Sequence, residues 1–344
     1  MSVTRKLLGA AAGAAGLAAA GTAVGVTRRR RSIARRDPDG TEFGSLRGTP
    51  TTVVASDGVP LHVEVDEADS ELTVVFCHGY ALNLDCWHFQ RAACRRAGLR
   101  AVLYDQRSHG RSGRSDRGNA TIEQLGTDLA QLLDEVVPDG PVVLVGHSMG
   151  GMTVVALAEE RPELFGDRVV GVGLVATTAG GLDPSRLLLP FIPSRLGSGL
   201  TDGAVRTLAR SHRTVDGLRR LGRSVATVAT DVFAFGGPVP PAYVDFVDDM
   251  LSATPFEVVA EFFPSFRGLD KFDAVEVMGK VPTTIVCGTD DRLTSIGHSR
   301  KLHERIAGSR LLEVEGAGHM VMIESHDQVD PALGQLYAEA GAGR

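Results

Sequence analysis

The sequence predicts an α/β fold in which a doubly wound, mostly parallel eight-stranded sheet carries a helical cap inserted before its last two strands. From about residue 51, short runs rich in β-branched residues alternate with longer segments of helical periodicity, an order typical of parallel sheets with helices on both faces. Several of these runs are continuously apolar, as strands buried on both faces are. The alternation stops after about Gly180 and resumes near Val281, which predicts the insertion.

Eight short apolar runs predict the strands. They are Thr51–Ser56, Leu61–Val65, Thr73–Cys77, Ala101–Tyr104, Pro141–Val145, Val169–Val175, Pro282–Cys287 and Arg310–Val314. Asp57 and Gly58 form a turn signal between the first two runs, so we expect these to be an antiparallel pair at the edge of the sheet. Apolar residues at helical spacing predict helices over Thr121–Val137 and Met149–Glu160.

The stretch between the two parts of the alternation differs in composition. It is rich in proline and contains two apolar helical runs, around Val225–Phe235 and Tyr243–Phe263. We therefore expect residues 181–280 to form the helical cap, and residues 51–180 and 281–340 to form the α/β core.

The N-terminal segment, residues 1–36, has a separate character. Leu7–Val26 contains no charged residue and is followed directly by a basic run, Arg28–Arg31. Twenty such residues can span a bilayer as a helix, and the positive-inside rule places the arginines, with the body of the protein, on the cytoplasmic side of the cell membrane. A membrane anchor at residues 7–26 is the prediction. A cleaved secretory signal and a cytoplasmic protein with a helical tail are the alternatives.

Charge and cysteine content exclude several classes of protein. Residues 1–36 hold eight basic and no acidic side chains, whereas residues 37–344 hold 28 basic against 42 acidic ones; an acidic body argues against nucleic-acid binding, which needs a basic face. The four cysteines show no metal-ligand spacing and no C-x-x-C motif, so neither a zinc site nor a redox pair is expected. Gly171–Ala176 fits a dinucleotide-binding pattern but lies inside a strand instead of at its exit turn. We expect no metal, no cofactor and no nucleic-acid partner.

The fifth predicted strand leads into a candidate nucleophile. Residues 146–151 read GHSMGG, and a predicted helix follows. G-x-S-x-G between a strand and a helix is the pattern of a nucleophile elbow, which exposes a serine on a sharp turn above the sheet. Small residues on both sides allow the strand and the helix to pack closely around it. Ser148 is therefore the candidate nucleophile.

The last two strands end in a candidate base and a candidate acid. A nucleophilic serine needs a base, and the base needs an orienting acid. Residues 315–319 read EGAGH after the last strand, and His319 is the only histidine beyond Ser148 that sits just past a strand end. Residues 288–292 read GTDDR after the preceding strand, so the residues alone leave both Asp290 and Asp291 as candidates for the acid.

These motifs resemble those of serine hydrolases with the α/β-hydrolase fold, the esterase- and lipase-like family. The similarity runs from about Val53 to the last helix and includes FCHGY at residues 76–80 and YDQRSHGRS at residues 104–112. In that family the acid follows the late-strand glycine by three positions, which implies Asp291, with Asp290 as the alternative. The oxyanion hole uses backbone N–H groups, which the resemblance assigns to Tyr80 and Met149.

The resemblance implies hydrolysis of a carboxylic ester through an acyl-enzyme on Ser148. Apolar residues of the predicted cap indicate a pocket for a small hydrophobic ester: Leu187–Leu189, Phe191, Phe233, Phe235, Phe262 and Phe263. Relatives with the same triad include C–C bond hydrolases, thioesterases and cofactor-free perhydrolases or haloperoxidases, whereas epoxide hydrolases carry Asp where this chain has Ser148. A receptor that binds a small ligand without turnover is the alternative of another class.

Overall fold

The computed structural model describes residues 25–182 and 223–342. Eight strands form a sheet in the order β1-β2-β4-β3-β5-β6-β7-β8. They are β1 (Thr49–Val54), β2 (Pro60–Asp66), β3 (Thr73–Cys77), β4 (Arg100–Tyr104), β5 (Val142–His147), β6 (Val169–Val175), β7 (Thr283–Gly288) and β8 (Arg310–Val314). β2 runs antiparallel to β1 and to β4, and all other neighbours are parallel. The predicted doubly wound, mostly parallel sheet is confirmed.

Side chains of the central strands alternate between two hydrophobic clusters, one on each face of the sheet. In β3, Val74 and Phe76 belong to one cluster, whereas Val75 and Cys77 belong to the other. Successive side chains of a strand point to opposite faces, so a strand covered on both sides is apolar at every position. This is why the central strands appear in the sequence as unbroken apolar runs.

Helices cover both faces of the sheet. They are α1 (residues 25–33), α2 (His88–Ala97), α3 (Ile122–Val136), α4 (Met149–Glu160), α5 (Arg223–Phe233), α6 (Pro241–Ala253), α7 (Phe256–Arg267), α8 (Ile296–Arg305), α9 (Val321–Glu324) and α10 (His326–Ala342). α2, α9 and α10 pack on one face, and α3, α4 and α8 pack on the other. The side chain of Thr121 caps α3 by accepting the N–H of Gln124 at 3.1 Å, which is how that helix begins where the sequence predicts.

Helices α5, α6 and α7 lie between β6 and β7, and we call residues 223–267 the insertion. The first predicted helical run of the cap corresponds to α5, but the single run predicted over Tyr243–Phe263 is wrong, since it is divided into α6 and α7. Pro255 explains the division, because proline disfavours helical backbone at the residue before it, and Thr254 is extended with φ −77° and ψ 121°. Residues 183–222 of the predicted cap lie outside the described residues.

The chain from residue 25 onward packs against the insertion. Arg29 and Arg36 both bind the carboxylate of Asp231 in α5, at 2.7 and 2.5 Å. Farther along, the ring of Phe43 stacks on Phe246 of α6 with centroids 4.1 Å apart. The arginine-rich segment is therefore in contact with the same helices that follow β6.

The predicted membrane anchor at residues 7–26 falls almost wholly outside the described residues, which begin at residue 25. Across the parts of the chain that the structure describes, none of the helices has both the length and the apolar character that crossing a membrane requires. The anchor itself stays a prediction.

Candidate active site

The candidate site lies where the strand order of the sheet reverses. β3 pairs with β4 on one side and with β5 on the other, so the connections that leave the carboxyl ends of β3 and β5 diverge and open a crevice. The loop with Tyr80 follows β3, and the turn with Ser148 follows β5. Open α/β sheets bind their ligands in such crevices.

Ser148 stands on a strained turn between β5 and α4. Its φ is 52° and its ψ −116°, a backbone conformation that costs about 1–3 kcal/mol in a residue other than glycine. Its N–H donates to the carbonyl of Val175 at 3.0 Å, which holds the turn against β6. A Cβ atom at Gly150 would lie 2.0 Å from the carbonyl oxygen of Cys77, so only glycine allows α4 to approach the end of β3 this closely. This is the geometry of a nucleophile elbow.

His319 and Asp291 form a hydrogen-bonded pair after β8 and β7. The His319 Nδ1 and the Asp291 Oδ2 are 2.9 Å apart, while Asp291 Oδ1 accepts the backbone N–H groups of Leu293 at 2.8 Å and Thr294 at 3.0 Å. Because the carboxylate can only accept, this bond assigns the proton of a neutral His319 to Nδ1 and leaves the lone pair on Nε2. Asp290, the alternative acid, is exposed.

Thr294 contacts the pair and was missed by the sequence reasoning. Its hydroxyl lies 2.9 Å from Asp291 Oδ2, 3.3 Å from His319 Nδ1 and 2.7 Å from the carbonyl oxygen of Ala176. The side chain thus links the turn after β7 to the end of β6. The only signal in the sequence is its spacing, three residues after Asp291, which lets its own N–H also bind that carboxylate.

Ser148 and His319 line one cavity, of about 280 Å³. The hydrogen bonds of the His319 ring go to Asp291 and Thr294 through Nδ1, so Nε2 is not committed to these partners. Most of the cavity wall is apolar: Ala81, Leu82, Ala229, Phe233, Ala234, Val247, Leu251, Val259, Leu293 and Met320. Among the described residues that form this wall, none carries a carboxylate, an ammonium or a guanidinium group.

The residues predicted to form an apolar pocket are only partly those that line the cavity. Phe233 lines it. Three others are buried away from it: Phe235, Phe262 and Phe263. Phe262, for example, packs with Met149 and Met152 of α4. The prediction missed this because an apolar run in a helix does not reveal which of its faces meets the core. Leu187–Leu189 and Phe191 lie outside the described residues.

The two predicted oxyanion donors come from different segments of the chain, and one of them lines the cavity. Met149 opens α4 directly after Ser148, and the first N–H groups of a helix have no partner within it. Tyr80 lies in the loop after β3 and lines the cavity. Its hydroxyl donates to the carbonyl of Val259 in α7, so the loop that would hold an oxyanion is also attached to the insertion.

Two further histidines beside the site are buried. His78 donates from Nδ1 to the carbonyl of Gly79 at 2.7 Å and accepts the N–H of Gln106 on Nε2 at 2.9 Å; burial lowers the pKa of His78 to about 4. His147 donates from Nε2 to the carbonyl of His319 at 3.0 Å, and burial lowers the pKa of His147 well below its ordinary value. Both rings are therefore neutral near pH 7 and connect the loops that surround Ser148.

One cysteine, Cys287, contacts the candidate acid: its Sγ lies 4.0 Å from Asp291 Oδ2 and 3.5 Å from the carbonyl oxygen of Thr294. All four cysteines are free and buried, and burial raises the pKa of Cys77 to about 12. Within residues 25–182 and 223–342, no group of three or more His, Cys, Asp or Glu side chains is placed to hold a metal ion.

Known proteins share this fold over most of the chain. The model of the alpha/beta hydrolase family matches residues 74–332. Epoxide hydrolase A of Mycobacterium tuberculosis is 27% identical over 320 residues, which cover 83% of this chain and 97% of that protein. The sn-1-specific diacylglycerol lipase ABHD11 of Mus musculus is 36% identical over 126 residues, only 36% of this chain and 40% of that protein. The crystal structure of the enol-lactonase from Burkholderia xenovorans LB400 is similar with a TM-score of 0.68 at 25% identity, covering 84% of this chain and all (100%) of that one.

Proposed function

Since this chain belongs to the alpha/beta hydrolase family, we propose that it cleaves carboxylic esters of mainly apolar acyl groups with Ser148, His319 and Asp291 as its catalytic triad. One observation carries the proposal: a serine on a strained turn and a hydrogen-bonded His–Asp pair meet at the same cavity. This is the arrangement that activates a serine hydroxyl for acyl transfer.

The proposed reaction has two halves. His319 Nε2 removes the hydroxyl proton as Ser148 Oγ bonds to the acyl carbon, and Asp291 stabilises the imidazolium that forms. The N–H groups of Tyr80 and Met149 donate to the oxyanion, each donor contributing about 10²–10³ in rate. The C–O bond to the alcohol then breaks, and the alcohol leaves with the proton from His319. Water, deprotonated by His319, attacks the acyl carbon, and Ser148 recovers its proton as the acid departs.

The wall of the cavity supports an uncharged, apolar acyl group. Its described residues offer hydrocarbon surface and no charged side chain, and an ionised substrate group buried there would lose its hydration without a partner. The mouse relative is named as a diacylglycerol lipase and the structural neighbour as an enol-lactonase, names that refer to linear and cyclic esters. Both fit the proposal.

Epoxide opening is the second candidate, because the match to an epoxide hydrolase covers 83% of this chain and 97% of that protein. The residue at the elbow argues against it: this chain has Ser148 where the resemblance places the aspartate of epoxide hydrolases. Thioester cleavage, C–C bond cleavage and perhydrolysis could use the same triad, and a thioester substrate separates the first of these from ester cleavage.

We further propose that residues 181–280 act as a cap over a core of residues 51–180 and 281–340. α5, α6 and α7 support this role, since they supply Phe233, Val247 and Val259 to the cavity wall. Attachment of the protein to the cytoplasmic face of a membrane through residues 7–26 remains a prediction of the sequence.

Labelling with a fluorophosphonate probe tests the proposed function. We expect the wild-type protein to be labelled, and Ser148→Ala and His319→Ala to remain unlabelled while keeping the wild-type circular dichroism spectrum. With a panel of short- to long-chain esters, thioesters and epoxides, Ser148→Ala should lower ester turnover by about 10⁴-fold or more, as loss of a nucleophile does in a serine hydrolase.

Ser299→Ala is the matched control, because Ser299 is a buried serine in α8 that does not line the cavity. It should label and turn over like the wild type. A folded wild-type protein that binds esters without labelling or turnover would identify a receptor instead, and epoxide turnover that survives Ser148→Ala would exclude the proposed nucleophile.

A further inference from the structure

One carboxylate joins the loop of His319 to the insertion. Glu324, the last residue of α9, accepts the N–H of Gly318 at 2.7 Å, and Gly318 immediately precedes His319. The same carboxylate accepts the N–H of Gly237 at 2.8 Å and that of Gly236 at 3.0 and 3.1 Å to its two oxygens. Gly236 and Gly237 follow the end of α5, so Glu324 holds two segments that are far apart in the sequence.

The backbones of these two segments touch directly. A Cβ atom at Gly236 would lie 2.1 Å from the carbonyl oxygen of Gly316, and one at Gly318 would lie 2.4 Å from the nitrogen of Gly236. Beside this contact, the N–H of Met320 donates to the carbonyl of Ala234 at 2.8 Å. The loop that carries His319 therefore rests against the end of α5, with Glu324 completing the junction.

Both sides of the junction lead to the cavity. Phe233 and Ala234, at the end of α5, line it on one side, and His319 and Met320 line it on the other. Glu324 does not belong to the cavity wall, so any effect that it has on the chemistry passes through the backbone of these neighbours.

The position of the His319 ring depends on how the backbone of its loop is held. The Asp291 hydrogen bond orients the ring at Nδ1, and the bond from His147 reaches the His319 carbonyl. The residues just before it include two glycines, Gly316 and Gly318, which restrict the backbone little. Three hydrogen bonds to other segments anchor the chain on the N-terminal side of the histidine: the Gly316 N–H donates to the Thr289 hydroxyl at 2.8 Å, the Ala317 carbonyl accepts the Asp290 N–H at 2.9 Å, and the Gly318 N–H donates to Glu324. The Glu324 bond is the one at the residue adjacent to His319, and the same carboxylate also binds the insertion.

We propose that Glu324 is a positioning residue that sets His319 at the correct distance from Ser148 by fastening its loop to the end of α5. This inference rests on the proposed function, since it assigns Glu324 a role only if His319 is the base. If Glu324 has this role, α5, which forms part of the proposed acyl-binding wall, and His319 move as one unit.

Kinetics of Glu324→Gln test the proposal. Glutamine keeps the size of the side chain but replaces one acceptor oxygen with an NH₂ group, which faces backbone N–H groups and cannot accept from them. A displacement of the base by about 1 Å can cost roughly 10²-fold in rate, so we expect kcat to fall about 10- to 100-fold, with the rate of fluorophosphonate labelling falling in parallel. KM should change by less than about threefold. The assays should be run well below the Tm of each variant, and the concentration of active enzyme should be determined by titration.

Two further variants make the result specific. Gly236→Ala keeps Glu324 but forces the two backbones apart, and it should reproduce the fall in kcat. Glu315→Gln removes an exposed negative charge from the same loop and should leave kcat and the labelling rate within about twofold of the wild type.

Three outcomes would overturn the inference. Wild-type kcat in Glu324→Gln, with only Tm lowered, would show a structural role alone. Equal losses in Glu324→Gln and Glu315→Gln would show an effect of loop charge. Ester turnover that persists in Ser148→Ala or His319→Ala, measured in parallel, would instead remove the proposed function on which the inference rests.

Discussion

At the scale of single residues, two adjacent aspartates, Asp290 and Asp291, differ in their contacts, and these contacts indicate which of them pairs with His319. Asp290 and Asp291 are neighbours in the sequence and follow the same strand, so their position cannot separate them. In the structure, Asp291 is buried and hydrogen-bonded to His319, whereas Asp290 is exposed. The assignment of the acid to Asp291 can therefore be tested with a pair of isosteric variants.

Asp291→Asn should lower kcat by about 10³–10⁴-fold, because an amide neither stabilises the imidazolium nor enforces the proton on Nδ1 of His319. Asp290→Asn, which removes the same charge one residue away, should stay within about twofold of the wild type. Steady-state kinetics with an ester that labels the wild type would measure both. A larger loss in Asp290→Asn than in Asp291→Asn would reverse the assignment.

At the scale of elements, α1 and the residues after it behave as a strap on the insertion. Arg36 binds Asp231 through both Nη atoms, at 2.5 and 3.0 Å, and Arg29 adds a bond at 2.7 Å. The side chain of Asp231 is fully buried. A buried carboxylate that loses its partners is strongly destabilising, so these arginines support α5 and with it one wall of the cavity.

A chain that starts at residue 37 should be less stable by roughly 3–5 kcal/mol than one that starts at residue 25, the typical effect of breaking a buried ion pair. Urea unfolding measures the difference. In the chain that starts at residue 37, Asp231→Asn should restore part of the lost free energy of unfolding, because it removes the buried carboxylate that has lost its arginine partners. Equal stability of the chains starting at 25 and 37 would show that the arginine contacts contribute nothing.

At the scale of the whole molecule, buried histidines should make stability depend on pH. Burial lowers the pKa of His78 to about 4 and that of His109 to about 3. A histidine in the unfolded chain titrates near pH 6.5, so between pH 6.5 and 4 the unfolded chain binds protons that the native chain does not. The free energy of unfolding then falls as the pH is lowered.

We expect each of these two histidines to account for roughly 2 kcal/mol of lost stability between pH 7 and pH 5. Urea unfolding of the wild type and of His109→Gln at both pH values would measure this. Since glutamine does not titrate, the difference between the two pH values should shrink by that amount in the variant, whatever its stability at pH 7. An unchanged difference would mean that His109 is protonated in the native state.

Much of the fold follows from local patterns. β3, β6, β8 and α4 have the bounds that the sequence predicts for them. In β3 and β6 this follows because strands covered on both faces leave few polar positions to interrupt the apolar pattern. The insertion was less predictable. Some of its apolar residues line the cavity and others are buried in the core. Their spacing along the helices does not distinguish these surroundings: Phe233 lines the cavity, whereas Phe262 packs in the core.

The sequence by itself determined the order of strands and helices, the turn that carries Ser148, and the strand ends that carry His319 and its two candidate acids, since each depends on residues adjacent along the chain. The tertiary structure alone decided which aspartate meets the histidine, which apolar side chains face the cavity, and that Glu324 joins the His319 loop to α5. These depend on contacts between segments far apart along the chain, such as the Gly236–Glu324 bond, with a separation of 88 residues, and the Tyr80–Val259 bond, with a separation of 179. Local sequence patterns do not predict such contacts, because the contacts form only when the sheet and its insertion pack together.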